Sequence, residues 1–214
     1  MKVSDTSIED VKVVEPDCHR DGRGWFAETY NAARYWAAGI EAEFVQDNES
    51  FSMKGVVRGL HWQAAPHTQA KLVRVIKGAV WDVAVDIRKG SPTYGQHIAC
   101  YLFAPDSQFA AEHAAEIVQT SQSSVAGSRT LIPNLQFFIP RGFAHGFIVL
   151  EDNTLFSYKC DNLYCPASER GLRFDDPDLN ITWPDVGLPL TLSVKDQKHP
   201  FLRDIEPYID LLSM

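Results

Sequence analysis

The sequence predicts a mainly all-β chain, a sandwich or barrel with a few short peripheral helices. Three observations point there. Short runs rich in Val, Ile, Phe and Tyr recur along the chain, with Gly, Pro, Asn or Asp between many of them. Helix signals are sparse. The 214 residues are 45% hydrophobic and 11% aromatic, enough for one sizeable core, so residues 1–214 read as a single domain.

In chain order the β-rich runs are VKVVEP, KGVVRGLHW, AKLVRVI, AVWDVAVDI, HIACYLF, QFFIP, GFIVL and TLFSYKC. Between the first two, NAARYWAAGI reads as a helix with Asn31 as its cap and Gly39 near its end. DSQFAAEHAAEIVQT reads as a second helix or as a loop, inside an Ala/Ser/Gln-rich segment at 104–135. Lys77-Gly78 separates AKLVRVI from AVWDVAVDI and predicts a tight hairpin, because glycine permits the positive φ such turns require. Alternation then puts Lys71, Val73, Val75, Val80, Asp82, Ala84 and Asp86 on one side, with Leu72, Arg74, Ile76, Ala79, Trp81, Val83 and Val85 on the other. Both sides are mainly apolar, so both should be covered, and Asp82 is the expected partner for Lys71 among the valines.

A net charge of −8 with no long basic run argues against a general nucleic-acid or membrane-surface binder. Cys18, Cys100, Cys160 and Cys165 fall at irregular spacings and read as reduced thiols. The N-terminal stretch lacks the apolar core of a secretory signal, and no run is long and apolar enough to span a bilayer. The expected location is the cytoplasm.

VRGLHWQ holds an arginine and a histidine in a strand-like run. Strict alternation sends Arg58 and His61 to opposite faces, but Gly59 marks a bulge that would turn both towards one cavity. The bland reading is a solvent-facing Arg58 and a core His61 satisfied by a carbonyl. In FIPRGFAHGF, Pro140, Gly142 and His145 follow the PxGxxH pattern of cupin-type β-barrels, where such a histidine often binds metal. A metal centre needs three or four placed ligands, and the usual HxH is here His61-Trp62-Gln63, so no metal is expected. His145 is left between a structural role and one at a pocket mouth.

The segments DGRGWFAETYN, FVQDNESFS, GVVRGLHWQ, QAKLVRVIKGAVWDVAVDIRKGSPTYG, FIPRGFAHGF, YKCDNLYCPASERGLRFDDPDLNITWP and LSVKD occur in one order over most of residues 16–200. In that order they resemble the dTDP-4-dehydrorhamnose 3,5-epimerase family, cupin-fold enzymes of deoxysugar biosynthesis. The resemblance implies a cupin-type jelly-roll barrel and epimerisation at C3 and C5 of a dTDP-linked 4-keto-6-deoxyhexose, without a cofactor. It implies that His61 is the general base, Asp196 the carboxylate that orients it, Lys71 the cation facing the C4 oxygen and Tyr158 the acid on the opposite face. Arg23, Arg58 and Lys195 are implied as phosphate-binding cations, and Glu28, Gln46, Asp47, Asn48, His145 and Glu169 as further substrate contacts. Gln46 and Asn48 share one face if FVQDN is a strand.

The sequence departs from the family pattern in the 104–135 segment, which reads as an insertion, and at Leu163-Tyr164, where many relatives carry two aromatic residues. Three alternatives stay open: epimerisation at C3 or C5 alone, a metal-dependent cupin enzyme, and a non-catalytic sugar-nucleotide binding module. The resemblance also implies a homodimer with exchanged strands.

Overall fold

A computed structural model describes residues 1–118 and 132–206. In chain order its elements are β1 (Lys2–Asp5), β2 (Lys12–Glu15), β3 (Cys18–Asp21), β4 (Gly24–Ala27), α1 (Ala32–Ala37), β5 (Gln46–Ser52), β6 (Val57–Gln63), β7 (Lys71–Lys77) and β8 (Ala79–Asp86). They continue with β9 (His97–Phe103), α2 (Gln108–Glu112), β10 (Gln136–Ile139), β11 (Phe143–Val149), β12 (Thr154–Cys160) and β13 (Glu169–Gly171). One antiparallel sheet has the order β1-β2-β10-β7-β12-β5 and a second β13-β6-β11-β8-β9, while β3 and β4 form a separate pair. This is the mainly β architecture that the sequence predicts, and it fits the jelly roll that the family resemblance implies.

Apolar alternation explains the packing of these layers. Val73, Val75, Phe137 and Phe156 of the first sheet meet Val80, Ala84, Leu102 and Phe147 of the second in one buried cluster. The outer face of the second sheet carries Trp81, Val83 and Val85, which the C-terminal segment covers with Leu172, Leu179, Val186 and Leu202. The outer face of the first sheet receives Tyr35 and Ile40 against Val14, Leu72 and Phe138. Asn31 caps α1 as expected, its side chain accepting from Arg34 N–H, and Gly39 follows with φ +81°. Ser107 caps α2 within the second expected helix; residues 119–131 of the 104–135 segment lie outside the described residues.

The predicted hairpin is corrected. β7 pairs with β10 and β12, whereas β8 pairs with β9 and β11, so the turn at Gly78 hands the chain from one sheet to the other. Glycine is required there because φ is +81° and a Cβ would run into Thr154. The alternation of faces survives, since it belongs to each strand's own pleat rather than to its partner. The expected Lys71–Asp82 pair is corrected as well: both Asp82 carboxylate oxygens are held by His145 Nε2, at 2.9 and 3.0 Å.

Asp86 closes β8 as a fully buried carboxylate. It accepts from Arg88 N, Nε and Nη2, Ser91 Oγ and Thr93 Oγ1 at 2.6–3.0 Å. Burial opposes its charge, yet these donors outweigh burial and hold the carboxyl below its ordinary 3.8. Asp86→Asn is therefore expected to remove roughly 3 kcal/mol in urea unfolding at neutral pH. Because the folded value is the depressed one, the contribution is complete above 3.8 and is lost as pH falls towards that lower folded value. The two unfolding curves should converge only on that acid side.

Candidate active site

β6 does carry the bulge. Its pairing with β11 runs His61↔His145 and Arg58↔Phe147, so two residues of β6 stand against one of β11. Gly59 has φ +123°, and a Cβ there would collide with the Gly146 backbone. Val57, Leu60 and Trp62 consequently share the outer core. Arg58, His61 and Gln63 are left for the inner face.

A cavity of about 300 Å³ lies against that inner face, lined by His61, Gln63, Lys71, Tyr158 and Cys160 with Gln46, Asn48, Tyr164 and Glu169. His61 comes from one sheet, and Lys71 and Tyr158 come from the other. Three of the expected catalytic side chains thus meet in one chamber with proton-bearing groups on opposing walls. The fourth, Asp196, arrives from the C-terminal segment. That segment is docked by Val57 N–H to Thr191 O at 2.9 Å and by reciprocal main-chain bonds between Leu60 and Leu172.

Asp196 sits on a 3-10 turn, buried rather than at a surface turn, with Oδ1 2.6 Å from His61 Nε2. Nε2 is the donor in such a bond, which leaves Nδ1 as the basic nitrogen of the ring. Burial opposes charge on Asp196, but the hydrogen bond and charge of His61 prevail and hold the carboxyl below its usual range. Lys71 Nζ has a single long hydrogen bond among the described residues, 3.5 Å to the His61 carbonyl. Burial pushes its ammonium down, while Cys160, Asp82 and Glu169 pull the other way. Tyr158 is pushed up chiefly by burial, so its phenol stays protonated at neutral pH. Burial also lifts the Cys160 thiol to about 11, which keeps it protonated and a poor nucleophile.

Gln46 and Asn48 share one face of β5 as expected, and Gln46 Nε2 donates to Asn48 Oδ1 at 3.0 Å. Asp47 is on the other face, paired with Lys159 Nζ at 2.8 Å, and does not line this cavity. Glu169 accepts from Lys195 Nζ at 2.6 Å and from Tyr164 Oη at 2.9 Å. Arg58 is exposed, donates to Ser52 Oγ at 3.1 Å, and is close enough to oppose the rise of the Tyr158 phenol. His145 is buried behind the cavity on Asp82; burial pushes its imidazole down and the Asp82 carboxyl up.

Within one chain Arg23 and Glu28 do not line the cavity. Arg23 is 91% exposed and pairs with Asp21 at the tip of the β3–β4 pair, while Glu28 accepts from Arg34 Nη1 at 2.8 Å. Sequence reasoning missed Gln63, which an i+2 step from His61 places on the same inner face. It also missed His199, whose Nε2 lies 3.4 Å from Asp196 Oδ1 and for which the sequence held no signal.

The family model of dTDP-4-dehydrorhamnose 3,5-epimerase matches residues 5–111 and 130–204. A dTDP-4-dehydrorhamnose 3,5-epimerase of Methanothermobacter thermautotrophicus is 40% identical over 205 residues, 95% of this chain and 96% of that one. The crystal structure of a Legionella pneumophila dTDP-6-deoxy-D-glucose-3,5-epimerase in complex with dTDP-4-keto-L-rhamnose is 42% identical with a TM-score of 0.79, over 96% of this chain and 94% of that chain. A dTDP-4-dehydrorhamnose 3-epimerase of Streptomyces niveus is 35% identical over 92% of this chain and 82% of its own. Alongside the shared chamber of His61, Lys71 and Tyr158, these matches show that the chain belongs to the dTDP-4-dehydrorhamnose 3,5-epimerase family.

Proposed function

We propose that this chain epimerises dTDP-4-dehydro-6-deoxy-D-glucose at C3 and C5, giving dTDP-4-dehydro-L-rhamnose. The observation that carries the reading is the His61–Asp196 pair, 2.6 Å apart, sharing one cavity with Lys71 and Tyr158. Nδ1 of His61 removes the proton beside the C4 ketone, and Asp196 stabilises the imidazolium that results. The enolate charge gathers on the C4 oxygen, where the Lys71 ammonium, short of other acceptors among the described residues, meets it. Inversion requires a proton from the opposite face, and Tyr158 supplies it from the facing sheet. Gln46, Asn48 and Glu169 contact the substrate within the cavity, with Asp47 and His145 holding the walls around it. Arg58 and Lys195 meet its diphosphate.

Substrate incubated in heavy water should gain deuterium at both C3 and C5, read by NMR. Label at one carbon alone would instead support a single epimerase, the activity named for the Streptomyces niveus relative. Lys71→Met should lower turnover by about 10²–10³ with little change in dTDP affinity. An unchanged rate would remove Lys71 from the mechanism.

The proposal extends to a homodimer in which the β3–β4 pair of one subunit reaches the cavity of the other with Arg23 and Glu28. Its support is the exposure of that pair, with Trp25 at 47% and Phe26 at 71%. Light scattering should give twice 24.0 kDa, and Arg23→Ala should raise KM about tenfold with kcat nearly unchanged. A monomer with full activity would refute this arrangement. The four cysteines are all free, which supports a reducing, cytoplasmic setting. Among the described residues no helix is long and apolar enough to cross a membrane.

A further inference from the structure

We propose that His61, Asp196 and His199 form a divalent-metal site, best suited to zinc, whose occupation stops the enzyme. One ligand atom from each residue can be chosen so that all three lie within 4.8 Å of one another. His61 Nε2 and His199 Nε2 converge on Asp196 Oδ1 from 2.6 and 3.4 Å, with the two rings 5.5 Å apart and inclined at 76°. Tetrahedral zinc with bonds of roughly 2.0–2.2 Å needs ligand atoms a little over 3 Å apart, so the site closes with a small opening of the His61–Asp196 contact. Two imidazoles and one carboxylate, with a fourth position left for water, is a donor set that zinc favours.

A second observation points to the same place independently. His199 Nε2 is buried and makes no hydrogen bond among the described residues, although an unsatisfied buried polar atom carries a penalty. Its ring is seated over Gly171, where any Cβ would collide with it, and Gly171 lies opposite His61 in the β13–β6 pairing. The sheet therefore holds the Nε2 edge of the ring in place beside the carboxylate, 3.4 Å from Asp196 Oδ1. Lys195 is the nearby cation opposing a metal, and its ammonium is tied to Glu169.

The inhibitory consequence rests on the reading of His61 as base. Metal on Nε2 displaces the Nε2 proton, which moves to Nδ1 with no net gain or loss of protons. Nδ1 then carries hydrogen and accepts none, and Asp196 is withdrawn to the metal.

The test uses the full-length enzyme with zinc chloride, and with Co²⁺ as a visible probe of coordination. Calorimetry should give one Zn²⁺ per chain, Co²⁺ should show tetrahedral absorption, and turnover should be lost and then restored by EDTA. His199→Ala and His199→Leu, the second retaining bulk over Gly171, should weaken zinc binding by calorimetry at least about tenfold and make the turnover they retain correspondingly less sensitive to zinc. The proposal is overturned if wild type binds no zinc, if bound zinc leaves turnover intact, or if both variants respond as wild type does, with the metal then held elsewhere. Failure of the base assignment would show separately, as undiminished proton exchange by metal-free His61→Asn.

Discussion

His61→Asn is expected to abolish deuterium exchange at both carbons, with turnover falling by about 10²–10⁴ and dTDP still bound. The amide has no basic nitrogen to replace Nδ1, and it is too short to replace Nε2 against Asp196, 2.6 Å from the native ring. The fold should survive, because His61 belongs to the partly exposed inner face of β6 while Val57, Leu60 and Trp62 anchor the outer one. NMR of substrate in heavy water decides the matter: exchange at the wild-type rate would rule out His61 as the base and with it the proposed chemistry.

Tyr158→Phe should act on a different step. The ring stays packed beside Phe156, 6.1 Å between centroids, so only the phenolic proton is removed. Burial already holds that proton in place. Net inversion should fall by about 10² or more, and initial washout of the α-proton should fall much less, since the proposed mechanism assigns it to His61 on the other sheet. Both rates are read from one time course, product by anomeric signals and washout by loss of the α-proton signal. Equal losses would mean that the tyrosine has no separate protonating role.

Much of this architecture was legible in the residues because buried strands declare themselves by apolar alternation. HIACYLF and TLFSYKC match β9 and β12 residue for residue. The strands missed outright, β1, β3, β4 and β13, are short and lie at sheet edges or outside the two sheets, where burial imposes no pattern. β5, foreseen only conditionally, is an edge strand of largely polar sequence. The hairpin error has a different origin. A Gly turn between two apolar runs specifies a reversal of direction, and nothing local specifies whether the returning strand pairs or crosses to a facing sheet. At the site, the Gly59 bulge was readable from its own sequence. The roles proposed for Lys71, Tyr158 and Asp196 needed the family resemblance, and the place of His199 needed the fold.

The sheet-to-sheet crossing at Gly78 has a kinetic consequence. β7 finds both of its hydrogen-bonding partners far along the chain, in β10 and β12, while β8 has one near, in β9, and one distant, in β11. Of these pairings only β8–β9 is local, and much loop-closure entropy must be lost before the distant strands dock. Folding from the denatured state belongs to the slow, milliseconds-to-seconds regime of non-local β proteins.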